Sequence, residues 1–265
     1  MGNSLQNHLQ GQIVLVTGAS SGIGMACAKL FAQSGARLIL AARRLERLEQ
    51  LATELNQQFG TESYRLQLDV RDRPQVMQTL QSLPQEWATI QVLINNAGLS
   101  RGLDPFQEAS LDDWEEMIDT NVKGLLYVTR ALLPGMVVKN QGHIVNIGSI
   151  AGHQTYPRGN VYCATKAAVR ALTAGLKQDL LGTAIRVSTI DPGLVESEFS
   201  QVRFHGDDDR AKAVYQGLTP LTPADVAEVV LFCLTRPAHV NLSEILLVPT
   251  DQATATLVHR QKTEG

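Results

Sequence analysis

No apolar run in the sequence approaches the ~20 residues that a helix needs to cross a bilayer, so no membrane span is expected. The first ten residues are polar and lack the basic-then-apolar pattern of a secretory leader. Met1-Gly2 resembles a myristoylation start, but Gln6 stands where serine or threonine is required. Cysteine is scarce: Cys27, Cys163 and Cys233 are widely spaced and odd in number. That argues against a disulfide framework and for a reducing compartment, the cytoplasm. Cys163 is expected to be a small buried apolar residue. Basic charge is not in excess: 23 Lys and Arg face 26 Asp and Glu, a formal net charge of −3. Neither nucleic acid nor an acidic membrane is therefore an expected partner. The six histidines form no pair at metal-ligand spacing, so no metal is expected. Repeats and low-complexity tracts are absent too. What remains is a chain of 265 residues, 44% hydrophobic and 18% charged, enough for one large α/β domain.

Short β-branched or apolar runs alternate with amphipathic stretches along the whole chain. Strands are expected at 13–17, 37–42, 64–68, 91–95, 143–147, 184–190 and 245–248, the sixth broken by Asp191-Pro192-Gly193. Helices are expected at 25–34, 45–59, 73–83, 111–138, 162–181 and 224–234. Ser110 caps the fourth of these, with Asp113 three residues on, and Pro134-Gly135 is expected to kink it. Thr222 caps the last, followed by Pro223 and Asp225. Sustained alternation without a linker predicts a single doubly wound, Rossmann-type parallel sheet of seven strands with helices on both faces. Residues 1–11 read as a loose polar extension, 12–250 as the domain, and 251–265 as a tail expected to be ordered only by a partner subunit.

Between the first strand and helix stands T-G-A-S-S-G-I-G, residues 17–24. Strand, glycine-rich turn and helix make a dinucleotide-phosphate site. Gly18 permits the turn, Gly22 lets the backbone approach a pyrophosphate, and Gly24 lets helix and strand pack closely. Ser20 and Ser21 add hydroxyls, and the helix N-terminus at Ile23 adds N–H donors and a positive dipole end. NAD-preferring folds place an acid at the end of the second strand. Here Arg43-Arg44 stand instead, cations suited to a 2′-phosphate, so NADP is predicted. Loops at strand C-termini bind ligands in open α/β sheets. Asp69 and Val70, then Asn96, Ala97 and Gly98, and later Pro192, Gly193 and Val195 therefore join the expected cofactor site, with Asp69 accepting from adenine and Asn96 tying strand ends together.

Ser149 ends the fifth strand, and Tyr162 and Lys166 lie four residues apart at the start of a helical pattern, hence on one face. An adjacent ammonium favours the phenolate and is expected to lower the phenol pKa from ~10. Ser149 would hold a substrate oxygen against the phenol. That is an acid/base arrangement for interconverting carbonyl and alcohol. Asn121, inside an expected helix, would disrupt its ladder and hold a water near Lys166. Residues 194–217 are polar, weakly periodic and too long for an ordinary connection, and read as a substrate lid. Within it Arg203 is a candidate partner for a substrate carboxylate.

Taken together, the turn at 17–24, N-N-A-G at 95–98, Asn121, Ser149 and Y-x-x-x-K at 162–166 stand in the order and spacing of the short-chain dehydrogenases/reductases, which the chain resembles from about residue 11 to 250. The resemblance implies that Tyr162 is the acid/base, that Lys166 lowers its pKa and binds the nicotinamide ribose, that Asn121 supports a water relay, and that Pro192-Gly193 meets the nicotinamide. The segments A-R-R-L-E-R-L, D-W-E-E-M-I-D-T-N, N-I-G-S-I-A-G, D-P-G-L-V-E-S-E-F-S, V-R-F-H-G-D-D and P-A-H-V-N are similar to NADP-dependent 3-hydroxy acid dehydrogenases. This implies a small-molecule substrate such as serine, allo-threonine or 3-hydroxypropionate, and a homotetramer. The chain departs from that pattern at Arg158, where glycine is expected, and in its longer N-terminal segment. Two alternatives stay open: the same chemistry on a ketoacyl, sugar or xenobiotic carbonyl, and a non-catalytic NADP-binding regulator.

Overall fold

The computed structural model describes residues 8–261. Seven strands form one parallel sheet in the order β3-β2-β1-β4-β5-β6-β7. These are β1 (Ile13–Thr17), β2 (Arg37–Ala42), β3 (Ser63–Gln67), β4 (Val92–Asn95), β5 (Gly142–Ile147), β6 (Ile185–Pro192) and β7 (Glu244–Leu247). The helices are α1 (Gly22–Gln33), α2 (Leu45–Phe59), α3 (Arg73–Gln81), α4 (Leu111–Ile118), α5 (Leu125–Lys139), α6 (Asn160–Asp179), α7 (Phe199–Arg203), α8 (Asp208–Ala213) and α9 (Pro223–Leu234).

Period-two alternation divides the core into two layers. Val14, Val16, Leu38, Leu40 and Ile94 point to the side where α1 and α9 pack, bringing Phe31, Val226 and Val230. Leu15, Ile39, Leu93 and Ile144 point to the other side, where α3 and α5 bring Val76, Leu80, Val128 and Leu132. Every residue of β1 is buried, as a strand covered on both faces requires. The chain leaves β1 toward β2 on one side, and later places β4 on the other. Strand order reverses there, which opens a crevice beyond the carboxyl ends of β1 and β4.

Three expectations need correction. The long helix at 111–138 is two helices, α4 and α5, joined by a wide π-helical turn at Asp119–Gly124 that contains Asn121. Helix α5 runs through Pro134 to Lys139. The strand at 184–190 runs on through Pro192. The extension 1–11 is not wholly loose: residues 1–7, with the myristoylation-like start, lie outside the described residues, but Leu9 is buried in the α1 layer and its N–H donates to the Ser34 carbonyl. An apolar residue in a polar segment found a hydrophobic seat.

The tail also differs from expectation. Residues 250–261 fold back on the same chain. Gln252 is buried, its Oε1 accepting from the Leu194 N–H at 2.8 Å. The Gln261 N–H donates to the Gly217 carbonyl at 2.7 Å, and Arg260 donates to the carbonyls of Val214 and Gln216. Residues 262–265 lie outside the description.

Candidate active site

A cavity of about 570 Å³ occupies the crevice. All of the expected site residues line it except Gly24 and Asn121. Those two act from behind the wall. A Cβ on Gly24 would meet the Gly18 carbonyl oxygen at 2.4 Å and Asn96 Nδ2 at 2.5 Å, so only glycine allows the start of α1 to pack on the β1 end. Asn121 is 2% exposed; its Oδ1 accepts from the Leu99 N–H at 2.8 Å, and its Nδ2 donates to the Leu99 carbonyl and to Thr165 Oγ1. Every side-chain hydrogen of Asn121 is therefore committed to protein. It locks the loop after β4 onto α6.

At one end of the cavity lies the glycine-rich turn. Gly18 and Gly22 take positive φ, +66° and +52°. Ser21, at the N-cap of α1, makes no side-chain capping bond, and the first turn carries no acid. The uncapped N–H groups and dipole end thus face the cavity without an internal anion to satisfy them. The Asn96 side chain donates to the Thr17 carbonyl at 2.9 Å, tying the ends of β1 and β4 as expected. The Arg44 guanidinium lies across the turn, donating to Ser20 Oγ (3.1 Å) and Ser21 Oγ (3.0 Å). Arg43 is more exposed and stands 3.9 Å from Glu116. Asp69, the expected adenine acceptor, gives its carboxylate to Arg71, with Nη2–Oδ2 at 2.6 Å.

The other end holds Ser149, Tyr162 and Lys166, all buried. Helix α6 starts two residues before Tyr162, so one turn sets Tyr162 and Lys166 on the same face. Ser149 leaves β5 and is fixed by accepting from the Ala151 N–H at 3.1 Å. Lys166 reaches under the site and donates from Nζ to the Ile147 carbonyl at 2.8 Å. Its ammonium is 5.9 Å from the Tyr162 ring centroid.

The expected electrostatics do not hold in this form. Burial pushes the Tyr162 phenol above its ordinary range; neighbouring Tyr156 adds to the rise, while Arg203 and a hydrogen bond from Ser149 oppose it. Lys166 is brought down to about 8, again by burial, with Asp191 working the other way. With its pKa near 8 Lys166 stays mostly charged at neutral pH, yet burial of the phenol outweighs the groups that lower its pKa.

Several participants escaped the sequence because their contacts span the chain. Asp191 is buried between Thr189 Oγ1 (2.7 Å) and His153 Nε2 (2.8 Å), pressed so closely on Gly148 that a Cβ there would meet its Oδ1 at 1.7 Å. The His153, Asp191 and Glu244 ligand atoms lie within 4.8 Å of one another, though Glu244 also pairs with Arg170. In the lid, Glu198 pairs with Arg44 and Arg47. The lid is not one loop: α7 and α8 give it form. Arg158 takes φ +66°, the left-handed conformation that favours the glycine expected there.

The chain belongs to the short-chain dehydrogenases: the model of the short chain dehydrogenase family matches residues 12–208. It is similar to the NADP-dependent 3-hydroxy acid dehydrogenase YdfG of Escherichia coli K12, 53% identical over 251 residues that cover 94% of this chain and all of that one. It is also similar to an NADP-dependent 3-hydroxy acid dehydrogenase of Schizosaccharomyces pombe, 46% identical and covering 97% and 99% of the two chains. A solved structure described as the closed form of serine dehydrogenase complexed with NADP+ superposes with a TM-score of 0.88 at 52% identity, over 94% of this chain and all of that one.

Proposed function

We propose that this protein is an NADP-dependent dehydrogenase of small 3-hydroxy acids. The observation that carries the reading is the cavity in the crevice. It joins an uncapped, acid-free helix N-terminus crossed by Arg44 to a buried serine, tyrosine and lysine. The relatives named for NADP and for 3-hydroxy acids cover nearly the whole chain.

The residues present fit the cofactor. Gly18, Ser20, Ser21, Gly22 and Ile23 offer N–H and hydroxyl groups to the pyrophosphate. Arg44, with Arg43 beside it, offers guanidinium to the 2′-phosphate. Val70, Asn96, Ala97 and Gly98, and Pro192, Gly193 and Val195, line the same cavity. When bound, NADP supplies the hydride-transferring nicotinamide. The protein moves the proton. Tyr162 hands its phenolic proton to the oxygen of a carbonyl, or takes it from an alcohol; Ser149 orients that oxygen; Lys166 holds the ribose and the polar floor. At neutral pH Tyr162 carries its proton and can give it to a carbonyl oxygen as that oxygen gains charge during reduction. Asn121 serves by fixing the loop at Leu99 against α6.

We further propose a cytoplasmic homotetramer, consistent with three unpaired buried cysteines and with the exposed apolar Leu126, Val138 and Phe232 on α5 and α9. Assaying NADP+ and NAD+ reduction with serine, allo-threonine, 3-hydroxypropionate and 3-hydroxyisobutyrate tests the function. The expected result is turnover of at least one with NADP+ and a higher kcat/KM than with NAD+. Preference for NAD+, or turnover only of neutral alcohols, overturns it.

A further inference from the structure

We infer that Arg203 is the anchor for the substrate carboxylate, and so the residue that selects acids among hydroxyl compounds. The inference deepens the reading just given and rests on it.

Five guanidiniums line the cavity. Arg43, Arg44 and Arg71 each face a protein carboxylate within 4.0 Å. Arg260 spends its Nη atoms on two backbone carbonyls of the lid. Arg203 alone has neither: no acid lies within ion-pair distance among the described residues, and its Nε is buried without a hydrogen-bond partner. Its Nη2 donates to Tyr156 Oη at 3.1 Å. A buried donor left unsatisfied costs free energy, more so on a charged group. Such a group persists where a ligand supplies the missing acceptor.

Its placement suits that ligand. The guanidinium carbon is 5.4 Å from the Tyr162 ring centroid and 5.1 Å from that of Phe199. In a 3-hydroxy acid only one carbon separates the carboxylate from the reacting carbon. A group clamped at Arg203 therefore presents its hydroxyl to Tyr162 and Ser149. The planar fork of arginine matches a carboxylate with two parallel bonds. The fork is also pre-positioned. The Arg203 carbonyl accepts from the Gly102 N–H at 2.9 Å, and the neighbouring Val202 carbonyl accepts from Arg101. These bonds tie the end of α7 to the loop after β4, and the Tyr156 hydroxyl holds the side chain from the opposite wall. Leu99, Phe199 and Val202 line the same part of the cavity wall as apolar neighbours, and a less polar surrounding strengthens a charge-assisted bond.

The test compares 3-hydroxypropionate with its methyl ester, which keeps the hydroxyl and removes the charge. In Arg203→Met the ratio of kcat/KM for acid over ester is expected to fall about 100-fold, the scale of a lost charged hydrogen-bond pair. Arg203→Lys, a point charge without the fork, is expected to recover part of the ratio, and covers the case in which the methionine variant does not fold. An unchanged ratio in both variants overturns the inference, as does an equal loss for acid and ester. A second readout needs no turnover: calorimetric titration of the full chain with propionate, which has no hydroxyl to oxidise. Propionate is expected to bind wild type at least tenfold more tightly than Arg203→Lys or Arg203→Met, and equal affinity counts against the anchor. The two failures separate. If wild type turns over no 3-hydroxy acid yet binds propionate through Arg203, the proposed function falls and the anchor stands. If wild type turns over the acid with Arg203 dispensable, the anchor falls alone.

Discussion

Lys166 feels two opposed influences. Burial to 7% exposure favours the neutral amine, and the Asp191 carboxylate favours the ammonium; burial wins, leaving the pKa near 8. The consequence for stability has a definite sign. Between about pH 8 and the ordinary lysine value, the unfolded chain holds a proton that the folded chain has released. The unfolded state binds more protons there, so the Lys166 contribution to unfolding free energy rises with pH. Below pH 8 the cost of burying the charge is present in full. In Lys166→Met that dependence disappears. The difference in unfolding free energy between variant and wild type, measured by denaturant titration, is expected to change by on the order of 3 kcal/mol from pH 7 to 10.5, in favour of wild type as pH rises. A constant difference would mean that the amine is not desolvated. The single-residue picture from sequence was right about which face Tyr162 and Lys166 share, because the helical repeat alone decides that. It was wrong about the phenol pKa, because burial depends on Tyr156, Phe199 and α7, which reach the site from elsewhere in the chain.

The glycine-rich turn shows what an element can reveal before folding. Its strand–turn–helix setting lies within twelve residues, so the sequence contains nearly all its determinants. Substituting Gly24 by alanine would place a Cβ at 2.4 Å from the Gly18 carbonyl and 2.5 Å from Asn96 Nδ2, neither a flexible group free to yield. Helix α1 must then move off the ends of β1 and β4. Gly24→Ala is expected to weaken NADP(H) binding by tenfold or more, since the phosphate-facing N–H groups move with the helix. Fluorescence titration with NADPH measures this, and wild-type affinity would contradict it. The Asp119–Gly124 turn is the counterexample. The ladder disruption expected at Asn121 is there as a π turn, but nothing local shows what its side chain holds. Only the long-range bonds from Asn121 to Leu99 and Thr165 make it a buried tie.

Across the whole molecule, seven strands in one doubly wound parallel sheet follow from the strand–helix alternation, while their order is seen only in the folded chain. The C-terminal strap was not legible, since Gln252, Ala255 and Arg260 gain meaning only where they meet Gly193 and the lid. Through the Gly217–Gln261, Thr219–Asp251 and Leu194–Gln252 bonds the strap holds both roots of the lid. Removing residues 252–265 is expected to raise the KM for the hydroxy acid several-fold and to speed proteolytic cleavage within 194–217, because a segment with few remaining ties opens locally at lower free energy. Unchanged KM and unchanged cleavage would show that the lid stands without the strap.

The account turns on one phenol. The most direct measurement is kcat for Tyr162→Phe beside its NADPH dissociation constant. General acid/base catalysis contributes typically 10²–10⁴-fold, so kcat is expected to drop at least 100-fold, while NADPH affinity stays within about threefold of wild type. Turnover near the wild-type rate would contradict the assignment of the proton to Tyr162, and with it the chemistry proposed for the cavity.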